Sequence, residues 1–255
     1  MNLKTFVAML ARDAHVARRN AVTLAFQTLL QPMMFVFVFG RVMTTSGLMS
    51  PQYKSLLLPG IIALSMVMTG TWAVAMPLVS EFQFTKEIED RLLAPMDMEW
   101  LAVEKVVAGM IQALIAGLVV IPTAWLVMGG VSLSGDHIGL LLTLAVLVAC
   151  LASTLGLALG CTVGPTQVGL MFSLVLAPMI FFGCTYYPWQ ALAAFPLLKR
   201  IVLVNPLVYA SEGFRSALVP QFPHLPQPAI LTALVLFNAA FLAFGLRQFK
   251  RKALT

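Results

Sequence analysis

The stretch Phe84–Met128, FTKEIEDRLLAPMDMEWLAVEKVVAGMIQALIAGLVVIPTAWLVM, changes character at Trp100. Its first part is dense in charge. From Glu81 to Lys105 lie Glu81, Lys86, Glu87, Glu89, Asp90, Arg91, Asp97, Glu99, Glu104 and Lys105, ten charged residues in a chain that holds 16 Lys or Arg and 10 Asp or Glu altogether. Its second part, Leu101–Met128, is an apolar run long enough to cross a hydrocarbon layer of ~30 Å as a helix.

The rest of the chain resembles the second part. Its 255 residues are 60% hydrophobic and 10% charged, with a mean hydropathy of +0.93, whereas soluble domains carry about 25% charged residues. That much apolar side chain cannot be enclosed in a water-soluble core, and in lipid the backbone must satisfy its own hydrogen bonds, so an all-α integral membrane protein is expected. Six spans are expected, at roughly Ala21–Gly40, Leu56–Ser80, Leu101–Met128, Ile138–Val163, Gln167–Tyr186 and Ala229–Leu246. Pro32, Pro59, Pro77, Pro122 and Pro178 fall in or near them and predict kinks rather than breaks, because neighbouring helices rescue the freed carbonyls. The net charge of +6 does not indicate nucleic acid. Lys and Arg sit beside apolar runs, where they act as membrane flanks.

Orientation follows from the same residues. With both termini on one side, that side holds Lys4, Arg12, Arg18, Arg19, Lys86, Arg91, Lys105, Arg247, Lys250, Arg251 and Lys252, and the other holds Arg41, Lys54, Lys199, Arg200 and Arg215. Eleven against five places the termini and the charged loop in the cytoplasm. The first 20 residues lack the continuous apolar run of a secretory signal. Leu3, Phe6, Val7, Leu10, Ala14 and Ala17 recur at helical spacing, with Arg12, His15 and Arg19 broadly opposite, which predicts an interfacial helix on the inner membrane surface. A charged leader that only sets topology is the alternative.

The loop over residues 81–100 reads as a short amphipathic helix. Thr85 suits the cap, Glu87 the positive end of the dipole, and Phe84, Ile88 and Leu92 recur every four residues until Pro95 stops the run. That apolar edge on an acidic body has two uses: rest on the lipid interface or span ends, or docking of a soluble partner. A second unusual region, residues 188–228, lies outside. Trp189–Val204 and Leu207–Val219 are each shorter than the ~20 residues of a span. They predict a helix, a turn at Asn205-Pro206 and a second helix, dipping into the outer leaflet as a re-entrant hairpin, with Glu212 and Arg215 placed to pair on one face.

At these residues the chain resembles a family. FFGCTYYP (Phe181–Pro188), FP (Phe195-Pro196), NPLVYASEGFR (Asn205–Arg215) and, upstream, KEIEDRLLAPM (Lys86–Met96) occur together in the order and spacing of the permease subunits of type-2 ABC exporters, a group that includes the daunorubicin-resistance and nodulation lipo-oligosaccharide export permeases. The resemblance spans essentially the whole chain as one transmembrane permease domain. It implies that the segment matching Glu87–Pro95 is a coupling helix seated in a groove of a separate ATPase, with Phe84, Glu87, Ile88, Glu89, Arg91, Leu92 and Pro95 as its docking residues. It implies an interface helix beside it with Phe6, Leu10, Arg12 and Arg19, and an outer re-entrant motif carried by Gly183, Pro188, Pro196, Asn205, Pro206, Glu212 and Arg215. It also implies a permease dimer, two ATPase copies and a substrate path between the two permeases. Members that carry long polysaccharides often have aromatic belts along that path; with four Trp and four Tyr this chain shows no such belt.

Sites for chemistry within the chain are thin. No G-x-x-x-x-G-K-[ST] run occurs, so this chain has no such cradle for ATP phosphates; ATP and Mg are expected on the partner and no cofactor on this chain. His15, His137 and His224 are scattered, no H-E-x-x-H pair exists, and Cys150, Cys161 and Cys184 lack C-x-x-C spacing, so no metal is expected. Asp136-His137 beside Ser134 lacks a third orienting group and reads as a loop turn. Gly156, Gly160 and Gly164 form successive G-x-x-x-G steps that suit internal packing or a dimer seam. The 15 Met residues, among them Met33, Met34, Met66, Met68, Met76 and Met171, suit either core filling and lipid contact or an adaptable cavity.

The function expected is that of a transport subunit in the bacterial inner membrane, not an enzyme. It would export a lipid, lipid-linked compound or apolar drug; a polysaccharide or lipo-oligosaccharide is the alternative substrate. A passive channel or an intramembrane enzyme is the alternative of another class.

Overall fold

The computed structural model describes residues 3–19, 30, 33–48, 50, 52–83, 98–128 and 137–253, which form helices and turns with no strand among them. Among the described residues nine helices, short 3-10 turns aside, follow in order: α1 Leu3–Arg19, α2 Met33–Thr45, α3 Tyr53–Gln83, α4 Met98–Met128, α5 Ile138–Thr162, α6 Val168–Phe181, α7 Pro196–Ile201, α8 Pro206–Leu218 and α9 Gln227–Ala253. By length and composition α3, α4, α5 and α9 can each cross a membrane, while α2 and α6 are shorter apolar helices. Most of the first expected span lies outside the described residues, as do Pro32, Ser134 and Asp136.

α3 is the hub. Its residues Leu57, Leu58, Ile61, Leu64, Val67, Val74 and Leu78 are buried, and it packs against α4, α5 and α8, with α9 completing the bundle on the far side of α5. Between helices in lipid, association rests on close packing and on hydrogen bonds, since the hydrocarbon around them is as apolar as Leu. Small residues supply that closeness here. A Cβ added to Gly156 would lie 2.6 Å from the Thr71 carbonyl oxygen and one on Gly160 would lie 2.9 Å from Ala75 Cα, so these two glycines of α5 are consumed by contact with α3. Internal packing is therefore the use of this part of the G-x-x-x-G run. Thr71 donates across the same contact to the Ala152 carbonyl at 3.1 Å.

The prolines leave the helices continuous: Pro59 and Pro77 lie inside α3 and Pro122 inside α4. In α6 a wide, π-type turn over Phe172–Leu176 precedes Pro178, and such a turn gives room for a ring that cannot donate a backbone N–H. α6 ends at Phe181, five residues before the expected end of the fifth span. The chain then turns tightly, with Cys184 at φ 51°. α9 departs in the other direction, running to Ala253 rather than Leu246. Beyond Arg247 its Phe249 is wholly buried and pairs edge to face with Phe82 at 5.5 Å, so tertiary contact extends the helix past the end of the hydropathy.

Apolar residues also cover the outward faces. Leu118 and Leu126 of α4, Leu142 of α5 and Leu236 of α9 are each more than half exposed, as expected where the surrounding solvent is hydrocarbon. Met66 is buried against Gly117, while Met34 and Met76 lie on the outside. The methionines thus divide between core and surface.

Candidate functional site

Residues 84–97, which include Phe84, Glu87, Ile88, Glu89, Arg91, Leu92 and Pro95, lie outside the described residues, but both of their stems are described. α3 leads into them and α4 leads out. At the stems Lys105 of α4 places its Nζ 2.7 Å from Glu81 Oε1 of α3 and 2.7 Å from Asp13 Oδ2 of α1. The Lys105 side chain is only 4% exposed. A buried ammonium is costly unless paired, and its three donors allow it to serve two carboxylates at once. Glu104, the residue before it, is wholly buried as well. Much of the charge expected on a solvated loop is therefore structural at its margins.

α1 docks on the start of α4 through a second contact, the rings of Phe6 and Trp100 meeting edge to face at 6.4 Å. Phe6 and Leu10 are half-buried, whereas Val7, Arg12, His15 and Arg19 are exposed; of the apolar positions expected on one face Val7 lies outward, and the side chains of Leu3, Ala14 and Ala17 lie outside the described residues. The far end of α9 closes the same region. Lys250 pairs with Glu99, and Lys252 donates to the Gly160 carbonyl at 3.4 Å while lying 5.0 Å from the Phe82 ring centre.

The opposite end of the bundle holds the second group of residues. Trp189–Val204, expected as one helix, is broken: a 3-10 turn at Trp189–Ala194, then α7, then a 3-10 turn at Val202–Val204. Pro196 causes the break, since it has no N–H to continue the first turn and is well suited to begin a new helix. Asn205 caps α8 as its side-chain oxygen accepts from the Leu207 N–H at 3.0 Å, and its amide donates to the Met179 carbonyl at 2.8 Å, tying α8 to α6. Pro206 occupies the first helical position, where a missing N–H costs nothing. Gly183 permits the approach of Leu207, whose Cδ2 would lie 2.5 Å from an added Cβ.

Glu212 and Arg215 are both completely buried and paired. Glu212 Oε1 also accepts from the Trp189 N–H at 2.9 Å, just after Pro188, and Oε2 accepts from the Leu225 N–H at 3.0 Å. Arg215 Nη2 donates to the Cys184 carbonyl at 3.1 Å. The pair thus stitches three loop segments to α8. Tyr53 adds a fourth tie from α3, donating to the Tyr186 carbonyl at 2.6 Å, while the Tyr186 ring packs on Phe35 of α2 at 4.8 Å.

Sequence reasoning anticipated the Glu212–Arg215 pair and the Asn205-Pro206 turn, but gave no role to Asp13, Glu81 or Lys105 as a group. The available signal was Asp13, the one acidic residue in a basic amphipathic helix, together with charges just inside two apolar runs. Among the described residues no three His, Cys, Asp or Glu side chains gather where they could hold a metal ion.

The family described as ABC-2 type transporter matches residues 4–219, which take in all but the first residue of α1, residues 84–97 and the segment from Pro188 through α8. The chain is also similar to the inner membrane transport permease YadH of Escherichia coli K12, 24% identical over 221 residues that cover 84% of each protein. The proteins of that name in Escherichia coli O157:H7 and Shigella flexneri match at the same 24% identity and 84% coverage of both chains. The chain belongs to the ABC-2 type transporter family.

Proposed function

We propose that this chain is the permease of an ATP-driven exporter that moves a lipid, lipid-linked compound or apolar drug outward across the bacterial inner membrane. Membership of the family makes it the transmembrane transport subunit of an ABC transporter, with ATP hydrolysis in a separate partner. The observation that carries the finer reading is the extent of the match: one continuous family region includes α1, the charged loop and the outer helices.

In this reading the whole chain is one permease domain of six spans, with both termini cytoplasmic. α2, extended back toward Ala21, and the Gln167–Tyr186 segment supply the spans beyond the four long helices. Residues 87–95 form the coupling helix: Phe84, Ile88 and Leu92 meet the ATPase through an apolar edge, Glu87, Glu89 and Arg91 give that edge its polar rim, and Pro95 ends it. α1, with Phe6, Leu10, Arg12 and Arg19, lies beside it on the inner membrane surface. Two copies of the permease pair with two ATPase copies. ATP and Mg reside on the ATPase, and this chain binds no cofactor of its own. ATP-driven closure of the ATPases displaces the coupling helix and changes how the first, second and fifth spans of the two permeases meet. The 188–228 segment, with Gly183, Pro188, Pro196, Asn205, Pro206, Glu212 and Arg215 shaping it, dips into the outer leaflet at the exit. The exposed apolar side chains of Phe195, Leu197, Ile201 and Val204 support that placement.

The test replaces the docking edge. Ile88→Asp with Leu92→Asp should lower the ATPase recovered with the purified permease by about tenfold or more, as for loss of two central apolar anchors, while membrane insertion is unchanged. Undiminished co-purification would remove the docking role.

A further inference from the structure

We infer that Lys105 is a latch, a positioning residue that locks α1 to both stems of the 84–97 segment so that displacement of that segment moves α1, the end of α3 and the start of α4 as one body. The inference rests on the docking role proposed for the segment.

Its basis is the geometry of one ammonium. Lys105 Nζ meets Glu81 of α3 and Asp13 of α1 at 2.7 Å each, so one ammonium joins three helices. A purely apolar joint is non-directional and lets helices slide over one another. An ion pair shielded from water has one favoured arrangement and resists sliding, which is the best-attested use of a buried charge pair. Shielding distinguishes it from Lys250–Glu99, in which both side chains are about half exposed (50% and 55%) and water competes for each charge. Position distinguishes it too. Glu81 is two residues before the end of α3, and Lys105 lies in the second turn of α4, so the latch sits on both strands of chain leaving the loop. Phe6 on Trp100 gives α1 a second point of attachment on α4. That ring contact alone would leave α1 free to pivot.

The test uses the permease with its ATPase in nanodiscs of phosphatidylethanolamine and phosphatidylglycerol. Nitroxides are placed at Val7 of α1 and Thr162 at the end of α5, both exposed, in a background lacking the native cysteines, and vanadate with ATP traps the closed ATPase. The native complex should show a change in the Val7–Thr162 distance on trapping. Lys105→Met should broaden the nucleotide-free distribution and abolish the change while ATPase still co-purifies, and Lys105→Arg should restore it. Because Lys105→Met leaves two carboxylates behind, the neutral variant Asp13→Asn with Glu81→Gln and Lys105→Met guards against simple misfolding; it should fold and also lack the change. Asp13→Asn combined with Lys105→Met should be no worse than Lys105→Met alone. A native-sized change in the neutral variant, or none in a native complex that hydrolyses ATP, overturns the latch. Failure of the native permease to retain ATPase strikes the docking role instead. The permease alone then decides the latch: a Val7–Thr162 distribution as narrow in the neutral variant as in the native protein overturns it.

Discussion

Glu212 accepts hydrogen bonds from the backbone of Trp189 and of Leu225 as well as from Arg215, so the carboxylate holds two loops and not only its ion-pair partner. A charge swap therefore does not preserve the site. Arg at position 212 would face two N–H donors with no acceptor to offer. Glu212→Gln, which strands a buried guanidinium, should cost about 3–5 kcal/mol, and Glu212→Gln with Arg215→Met should cost less than the single change. The swap Glu212→Arg with Arg215→Glu should unfold the protein as readily as Glu212→Gln. Thermal unfolding of detergent-purified protein measures all three, and a native-like midpoint for the swap would show that only the mutual pair matters.

Glycine at position 60 is set by a neighbour that cannot yield. A Cβ there would lie 1.9 Å from the Thr185 carbonyl oxygen and 2.7 Å from its carbon, both backbone atoms. Gly60→Ala must push the turn at Thr185 away from α3 and should destabilise by about 1–3 kcal/mol, the usual scale of overpacking. Gly139, near the start of α5, has nothing within 4 Å of an added Cβ. Gly139→Ala should be neutral or slightly stabilising, by at most about 1 kcal/mol, through helix propensity. Equal midpoints for the two variants would contradict the close approach.

What could be read before the structure was whatever is local or compositional. Leu101–Met128 announces a spanning helix by its apolar length, and α4 begins only three residues earlier. The Asn205-Pro206 turn was legible because a capping Asn and a first-turn Pro act on their own neighbours. The Asp13–Glu81–Lys105 group was not, since its members are separated by 92 and 24 residues and meet only once α1, α3 and α4 have packed. The extension of α9 past Arg247 was hidden for the same reason: Phe249 and Lys250 find their partners on other helices.

Within the bundle Asn238 is a buried polar residue on α9. Its amide donates across to the Leu147 carbonyl of α5 at 3.1 Å as well as to Leu234 of its own helix at 2.8 Å. Asn238→Leu keeps the branching at Cγ and removes the bridge. Interhelical hydrogen bonds in membranes are modest, so the loss should be about 1 kcal/mol, well below that of Glu212→Gln. The same unfolding measurement ranks them, and a larger drop for Asn238→Leu would reverse the order of importance assigned to these two polar sites.

Topology supplies the last prediction. Eleven Lys and Arg residues are grouped with the termini and the 84–97 segment and five with the opposite face, and a bias of that size governs insertion. Thr85 and Gln227 lie on opposite faces in that arrangement, Gln227 being the exposed first residue of α9. Single cysteines at the two positions, in a background without Cys150, Cys161 and Cys184, should differ in reaction with an impermeant maleimide added to spheroplasts. Gln227→Cys should label at once, and Thr85→Cys only after the membrane is opened. A silent Gln227→Cys beside a reactive Thr85→Cys would turn the protein over, moving the charged loop outside the cell, where no cytoplasmic ATPase could dock on it.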